Sequence, residues 1–502
     1  MHKRYCLAYE TLAGSSFGAN WFENYSNSYD VSRYNIPVTL HQPYIVLRQK
    51  HPQFFYHQSS WQIVGGELHC SWVFELEPDL IFKPKLSIPL PEAWQLHDFD
   101  QAIIDQLVFN IGMVESLSYW KLAASPKLVV KAGSLSEEQV HWWHELLLSG
   151  MGEYFYLNEI DFTQEKFVEI VGGEINEKDA AAATVVSKKS LNPNAYLIPI
   201  GGGKDSIVTL ELLKLYQSQN PDIQLLASSL NPTQASLDVI KQSGLSFVNV
   251  TRQLDPQLLA LNQQGYLNGH TPFSALLAFV NSLVGYLYNY QHLVLSNEQS
   301  ANEGNVQFHG QTINHQYSKS YAFERNFRQY IKNIAPVNYF SLLRPFSELQ
   351  IAGAFAKLGE NYFSLFRSCN RGQKTNSWCG ECAKCLFAWI VLFPFLGEEK
   401  MTKIFGQNLF EKLELLPTSL DLIGQTANKP FDCVGTYAES KTAFVLAIEW
   451  YQQKNLKLSK LLEKLEKSLR GGVILNSIQK PPAQITPHFI PEELTQLLSS
   501  QA

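Results

Sequence analysis

Residues Tyr196-Leu197-Ile198-Pro199-Ile200-Gly201-Gly202-Gly203-Lys204-Asp205-Ser206 run directly into Ile207-Val208-Thr209-Leu210-Glu211-Leu212-Leu213, and this stretch decides how the chain is read. A short apolar run enters three glycines, and a helical pattern leaves them. Glycine lets a backbone turn sharply and come close to a ligand. The helix start that follows offers unpaired N–H groups and the positive end of a helix dipole, which suit phosphate. Lys204 adds charge and Ser206 a hydroxyl donor. Asp205 is out of place in a pure anion site and is read as a partner for Mg²⁺ carried with a nucleotide.

The glycine spacing is neither that of a Walker A loop nor that of a Rossmann fingerprint. It resembles the PP-loop of the ATP pyrophosphatases, Ser-Gly-Gly-x-Asp-Ser, with Gly201 where that pattern has serine. The resemblance implies that the loop grips the pyrophosphate of ATP. It also implies cleavage between the α- and β-phosphates, with an adenylated substrate as the usual result.

Strand and helix patterns alternate outward from this loop. Strand Tyr196–Ile200 leads to a helix over 206–218, strand Gln224–Ser229 to a helix over 233–243, and strand Phe247–Thr251 follows. A helix over 272–290, strand His292–Ser296 and a helix over 319–333 complete the series. Such βαβα order predicts an α/β fold with a doubly wound, Rossmann-like parallel sheet, whose ligands sit at the carboxyl ends of the strands. The glycine loop, Asn231 and Asn297-Glu298 all fall there. The expected domains are an N-terminal α+β unit over 1–165, a linker over 166–192, the nucleotide-binding domain over 193–396 and a mostly helical extension over 397–502.

In the N-terminal unit, Gly65-Gly66 separates two strand-like runs as a hairpin signal. Leu68, Cys70, Trp72, Phe74 and Leu76 share one face by the period of two. Further strands are expected at 44–48, 54–58, 80–88 and 127–132, with a helix near 99–118. Another helix starts at Ser134 or Ser136, with Glu137 and Glu138 in its first turn. Lys454–Leu469 reads as an exposed amphipathic helix, and Gly471-Gly472 and Pro481-Pro482 mark a loop-rich end.

The chain has 502 residues, 45% of them hydrophobic and 17% charged, as in a soluble globular protein. A net charge of −6 argues against nucleic acid as the main partner. The first residues carry no apolar signal core. The most apolar run, Leu386 to Leu396, is too short to span a bilayer. A cytoplasmic protein is expected, with no nucleic-acid or membrane partner and an oligomeric state left open.

Of seven cysteines, Cys369, Cys379, Cys382 and Cys385 cluster with spacing C-x9-C-x2-C-x2-C, and Cys6, Cys70 and Cys433 stand apart. In a reducing compartment this density points to a tetrahedral structural zinc, with Gly380 supplying the tight knuckle. Leu295 to Gly304 concentrates two carboxylates, Glu298 and Glu303, with Asn297, Asn302 and two serines at the end of a buried strand. Asn314-His315-Gln316-Tyr317-Ser318-Lys319, with Glu324, Arg325 and Arg328 beyond, has the groups to grip an acidic substrate. Lys429 to Thr436 holds Cys433, which can exchange a proton with a carbon acid if its pKa is lowered.

The cysteine spacing after a PP-loop looks like that of the deazaguanine nitrile synthases, over about residues 195–390, but those enzymes lack a unit like 1–165. The long N-terminal unit, Ser118-Tyr119-Trp120-Lys121, Glu153-Tyr154-Phe155-Tyr156, the glycine loop, Ser296–Gly304, Asn314–Lys319, the cysteines and Lys429–Gly435 together resemble the glycopeptidyl-glutamate epimerases. That resemblance implies ATP- and Mg²⁺-dependent inversion of the terminal glutamate of a UDP-linked muramoyl dipeptide. Converting the carboxylate to an acyl-adenylate removes its charge and acidifies the α-carbon, so a base and an acid can exchange its proton.

The implied roles are as follows. Gly201, Gly202, Gly203 and Ser206 hold phosphates, Lys204 stabilises developing charge, and Asp205 with Glu298 or Glu303 holds Mg²⁺. Asn231 and Asn297 complete the nucleotide site, and His315, Lys319 and Cys433 are the proton-transfer candidates. Three other readings stay open: a different adenylating PP-loop enzyme, such as an amide ligase or nitrile synthase, a tRNA-modifying enzyme, and a noncatalytic nucleotide-binding scaffold.

Overall fold

A computed structural model describes residues 44–92, 95–96, 99–173, 190–469 and 487–501. Cys6, most of the expected linker, Gly471-Gly472 and Pro481-Pro482 lie outside the described residues. The fold is mixed α/β, built on one sheet of 11 strands in the order Asn338–Ser341, Tyr290–Leu295, Asn192–Pro199, Gln224–Leu230, Phe247–Gln253, Lys85–Pro89, Glu67–Leu76, Gln53–Val64, Lys127–Ser134 and Glu169–Gly173, with Leu80–Phe82 paired beside Glu67–Leu76.

Five strands form the parallel half: β7 (Asn192–Pro199), β8 (Gln224–Leu230), β9 (Phe247–Gln253), β10 (Tyr290–Leu295) and β11 (Asn338–Ser341). From β7 the chain adds β8 and β9 on one side, then returns to place β10 on the other. Such a reversal opens a crevice at the carboxyl ends of the two central strands. Here those ends carry the glycine loop, after β7, and Ser296-Asn297-Glu298, after β10.

Four of these strands hold consecutive buried residues, as parallel strands covered on both faces do, whereas β9 alternates buried and exposed positions. Leu197 faces a core shared with helices Gln101–Trp120 and Phe273–Tyr288, whereas Tyr196, Ile198 and Ile200 face one shared with helices Lys204–Gln219 and Ala383–Phe405.

The other half holds β1 (Gln53–Val64), β2 (Glu67–Leu76), β3 (Leu80–Phe82), β4 (Lys85–Pro89), β5 (Lys127–Ser134) and β6 (Glu169–Gly173). The β1–β2 hairpin turns on Gly65 and Gly66, at φ 60 and 80, with Val64 opposite Glu67. Positive φ at both positions is what a two-residue hairpin turn requires. Leu68, Cys70, Trp72, Phe74 and Leu76 are all buried, as the alternation predicts. The two halves join where β4 pairs antiparallel with β9, Leu86 opposite Arg252.

Two local expectations fail. Residues 44–48 are helical, within Tyr44–Lys50, because only Leu47 is buried and the neighbouring Ile45 and Val46 face out, so the run has no strand alternation. Residues 80–88 form two strands, and Pro84, which has no N–H for the ladder, lies in the break. Ser136, not Ser134, caps its helix, in a reciprocal box with Gln139. The region after 397 is mainly helical, though its lysine-rich helix begins only at Lys460 and buries Leu461, Leu462, Leu465 and Leu469. No described helix is long and apolar enough to cross a membrane.

Candidate active site

A cleft of about 2910 Å³ opens over the carboxyl ends of the parallel strands. Gly201, Gly203, Lys204, Asp205 and Ser206 form one wall with Asn231, Asn297 and Glu298. His315, Lys319 and Cys433 line the same cleft. Chain segments more than a hundred residues apart therefore meet around one space.

The glycine loop is shaped for an anion. Gly202 sits at φ 82, and a Cβ there would lie 2.8 Å from the Ser236 backbone nitrogen. Gly203 starts the helix Lys204–Gln219 without any side-chain cap, which leaves first-turn N–H groups for a ligand. A Cβ at Gly201 would touch nothing within 4 Å, so the serine of the PP-loop pattern has room there.

Lys204 is buried between two carboxylates, with Nζ 2.5 Å from Asp205 Oδ1 and 2.5 Å from Glu348 Oε2. Burial opposes its charge, but Asp205 and Glu348 hold its pKa above the ordinary lysine value. Burial pushes Glu348 up, against the pull of Lys204. Burial likewise raises Glu298, with Lys319 pulling it down and Asp205 pushing it further up. Three carboxylates around one lysine are an oxygen-rich set of the kind that accepts a hard divalent cation, and Asp205 and Glu298 both line the cleft.

Two expected nucleotide ligands are placed differently from the rest. Asn231 lines the cleft, but its amide pairs both ways with the Arg252 backbone, at 2.9 and 2.8 Å, and so ties β8 to β9. Glu303 accepts from Lys429 Nζ at 3.0 Å and from the Tyr437 backbone N–H at 3.1 Å, and is not among the cleft-lining residues. Asn297 lines the cleft and donates to Ser341 Oγ at 3.1 Å.

The three proton-transfer candidates are in contact. Lys319 Nζ donates to Cys433 Sγ at 3.1 Å, and His315 is hydrogen-bonded to Glu153 and faces Cys433 closely enough for their charges to interact. Burial pushes the Cys433 thiol up, yet Lys319, Lys384 and His315 together bring it well below its ordinary value. Burial lowers His315, yet Glu153 and Cys433 raise it to about 10. The charges of the cluster thus favour a thiolate at Cys433 beside the Lys319 ammonium and a protonated His315. Glu153 Oε1, Ser296 Oγ and Gln316 Oε1, all on residues that line the cleft, are buried without a partner, which marks positions for ligand or water contacts.

Glu348, Glu153, His270 and Lys384 also belong to the site and were not singled out as functional from sequence. Glu348 opens a helix whose Ser347–Gln350 capping box is a sufficient local reason for a polar residue. Glu153 sits among aromatic residues with no spacing that ties it to His315.

The four clustered cysteines have their sulfurs within 4.8 Å of one another, Cys369 to Cys382 at 3.9 Å and Cys379 to Cys385 at 3.6 Å. A tetrahedron of Zn–S bonds near 2.3 Å has edges of about 3.8 Å, so the set is compatible with zinc. Gly380 sits at φ 69, and its N–H points to Cys385 Sγ at 3.4 Å, as a metal knuckle requires. The segment leading into the cysteines is anchored to the glycine loop, because the Arg367 N–H donates to Gly202 O at 2.9 Å.

Residues 46–342 match the family model described as the MurL N-terminal domain, and residues 365–471 that of the MurL C-terminal domain. Three relatives share the name UDP-N-acetyl-alpha-D-muramoyl-L-alanyl-L-glutamate epimerase. The one from Xanthomonas oryzae pv. oryzae is 32% identical, over 77% of this chain and 84% of its own. The one from a Micromonospora species is 31% identical, over 83% and 91%. The one from Salinispora tropica is 33% identical, over 73% and 78%. No solved structure matches. With both family models matched and relatives of one name aligned over most of its length, this chain belongs to the MurL family of epimerases and is an enzyme of the isomerase class.

Proposed function

We propose that the chain inverts the terminal L-glutamate of UDP-N-acetylmuramoyl-L-alanyl-L-glutamate in peptidoglycan synthesis, through an acyl-adenylate formed from ATP with release of pyrophosphate and finally AMP. One observation carries the reading: the glycine-loop anion cradle and the Lys319–Cys433–His315 cluster face a single cleft. The names of the relatives supply the substrate.

In this account the backbone N–H groups of Gly201, Gly202 and Gly203, with the Ser206 hydroxyl, hold phosphate oxygens. Lys204 stabilises charge as it develops there. Asp205 and Glu298 would hold Mg²⁺, which neutralises phosphate charge. Adenylation converts the glutamate carboxylate into an acyl phosphate, a mixed anhydride whose carbonyl no longer carries the carboxylate charge, and so acidifies the α-carbon. A group of the Cys433, His315 and Lys319 cluster removes the α-proton, another returns one to the opposite face, and water releases AMP. Cys369, Cys379, Cys382 and Cys385 would hold a structural zinc that fixes the loop over 367–384 against Gly202. Residues 1–165 take the substrate-recognition role, 193–396 the nucleotide role, and 397–502 contribute Cys433.

Hydroxylamine tests the activated intermediate. With ATP, Mg²⁺ and the L-glutamyl substrate it should trap the glutamyl hydroxamate in step with AMP formation. Epimerisation with no AMP and no hydroxamate would exclude adenylation.

A further inference from the structure

Glu153 lies in the first turn of the short helix Gly152–Leu157, in the N-terminal half of the chain, and is fully buried. Its Oε2 is hydrogen-bonded to His315 Nδ1. That contact depends on close packing: a Cβ at Gly152 would lie 3.1 Å from Ile313 Cγ2, so the missing side chain lets the helix start press against the strand that delivers His315. Gly269 makes a similar approach to Tyr154, with a built Cβ 3.1 Å from its ring, and brings His270 alongside. His270 Nδ1 is 3.6 Å from the same Glu153 oxygen, and its ring centroid is 4.5 Å from that of His315.

We infer that Glu153 is a positioning residue that acts through His315 on Cys433, making Glu153–His315–Cys433 one relay that prepares the sulfur to take the substrate's α-proton. This rests on the reading above that Cys433 faces the α-carbon. A buried carboxylate behind an imidazole fixes the ring's orientation and favours its protonated form, as the acidic member of a hydrolase triad does. The imidazolium in turn stabilises a thiolate in front of it. In the proton transfer the S–H bond forms as the α C–H bond breaks. The electron pair remains on the α-carbon and spreads onto the adenylated carbonyl.

Other charges act on the same groups. Lys319, Lys384, Asp432 and Glu298 face Cys433, and Asp432, Lys121 and His270 surround the Glu153–His315 pair. Lys319 and Lys384 remain when Glu153 is neutralised, so the thiol should rise partway rather than return to its ordinary value.

The test is the alkylation rate of Cys433 by iodoacetamide in the full-length protein against pH, read by mass spectrometry of the Cys433 peptide. It needs no substrate, and Cys433 is half-buried on the cleft wall. The parent should alkylate with an apparent pKa well below about 8.5, the value for a free thiol. Glu153→Gln should raise it by a unit or more, which slows alkylation about tenfold at pH values below the parent's apparent pKa. Glu153→Asp should restore part of the shift. His315→Asn, as a second variant, should shift the thiol the same way, and ATP binding serves as the check of folding in each.

The pH profile of α-hydrogen exchange should move with the thiol while KM for ATP stays unchanged. Parent-like alkylation in a folded Glu153→Gln protein would overturn the relay. A relay intact by alkylation, in a parent that never exchanges the α-hydrogen, would instead overturn the reading of the reaction.

Discussion

Replacing Gly202 by alanine should damage both stability and nucleotide binding, whereas replacing Gly201 by serine should damage neither. At φ 82, Gly202 holds a backbone conformation that costs a residue with a Cβ about 1–2 kcal/mol. The new methyl would also lie 2.8 Å from Ser236 N, 2.9 Å from Ala235 C and 3.1 Å from Ala235 Cβ. The first two are backbone atoms that cannot swing aside, and overpacking of this kind adds about 1–3 kcal/mol. The sum, about 2–5 kcal/mol, falls on the turn that aims the helix start at the ligand and accepts from Arg367 N.

Gly201 differs in both respects. It has ordinary φ and open space around a Cβ, so serine should be neutral or stabilise by up to about 1 kcal/mol through the unfolded chain. Urea midpoints followed by tryptophan fluorescence, with calorimetric titration of ATP, read both effects. The expected result is a lower midpoint and at least about tenfold weaker ATP binding in Gly202→Ala, with Gly201→Ser matching the parent. If Gly202→Ala keeps parental stability and affinity, or folded Gly201→Ser loses ATP binding, the loop geometry argued here is wrong.

Lys204→Ala should abolish AMP formation and cost about 3–5 kcal/mol, because it leaves Glu348 and Asp205 facing each other without their shared cation. Turnover near the parental rate would remove Lys204 from the mechanism. Glu298→Gln should raise the Mg²⁺ concentration needed for half-maximal AMP formation about tenfold, and an unchanged requirement would exclude it as a metal ligand. Purified protein should carry zinc, and Cys382→Ser should lose it, lower the thermal midpoint and weaken ATP binding through the loop that holds Gly202. Protein with full activity and no zinc would contradict that role.

The parallel half of the fold was legible because its strands are short apolar runs separated by helix periods, and the glycine loop marked where the ligand face lies. Ile45 and Val46 misled because β-branched residues suggest a strand, whereas burial chose a helix. The site was legible in pieces. The cysteines declare themselves by spacing, and Lys204, Asp205 and Ser206 by their place after the glycines. No local pattern joins His315, Lys319 and Cys433, because tertiary packing alone brings together residues 114 positions apart in the case of Lys319 and Cys433. Asn231 shows the reverse case. It follows β8 at the carboxyl end of the sheet, but its amide serves the Arg252 backbone.

The most direct test of the account is an incubation of the protein with ATP, Mg²⁺ and UDP-N-acetylmuramoyl-L-alanyl-L-glutamate in D₂O, followed by analysis of the glutamate α-carbon and of the nucleotide. AMP together with deuterium at the α-carbon and D-configured glutamate is the expected result. AMP without deuterium, or deuterated D-glutamate without AMP, would contradict it.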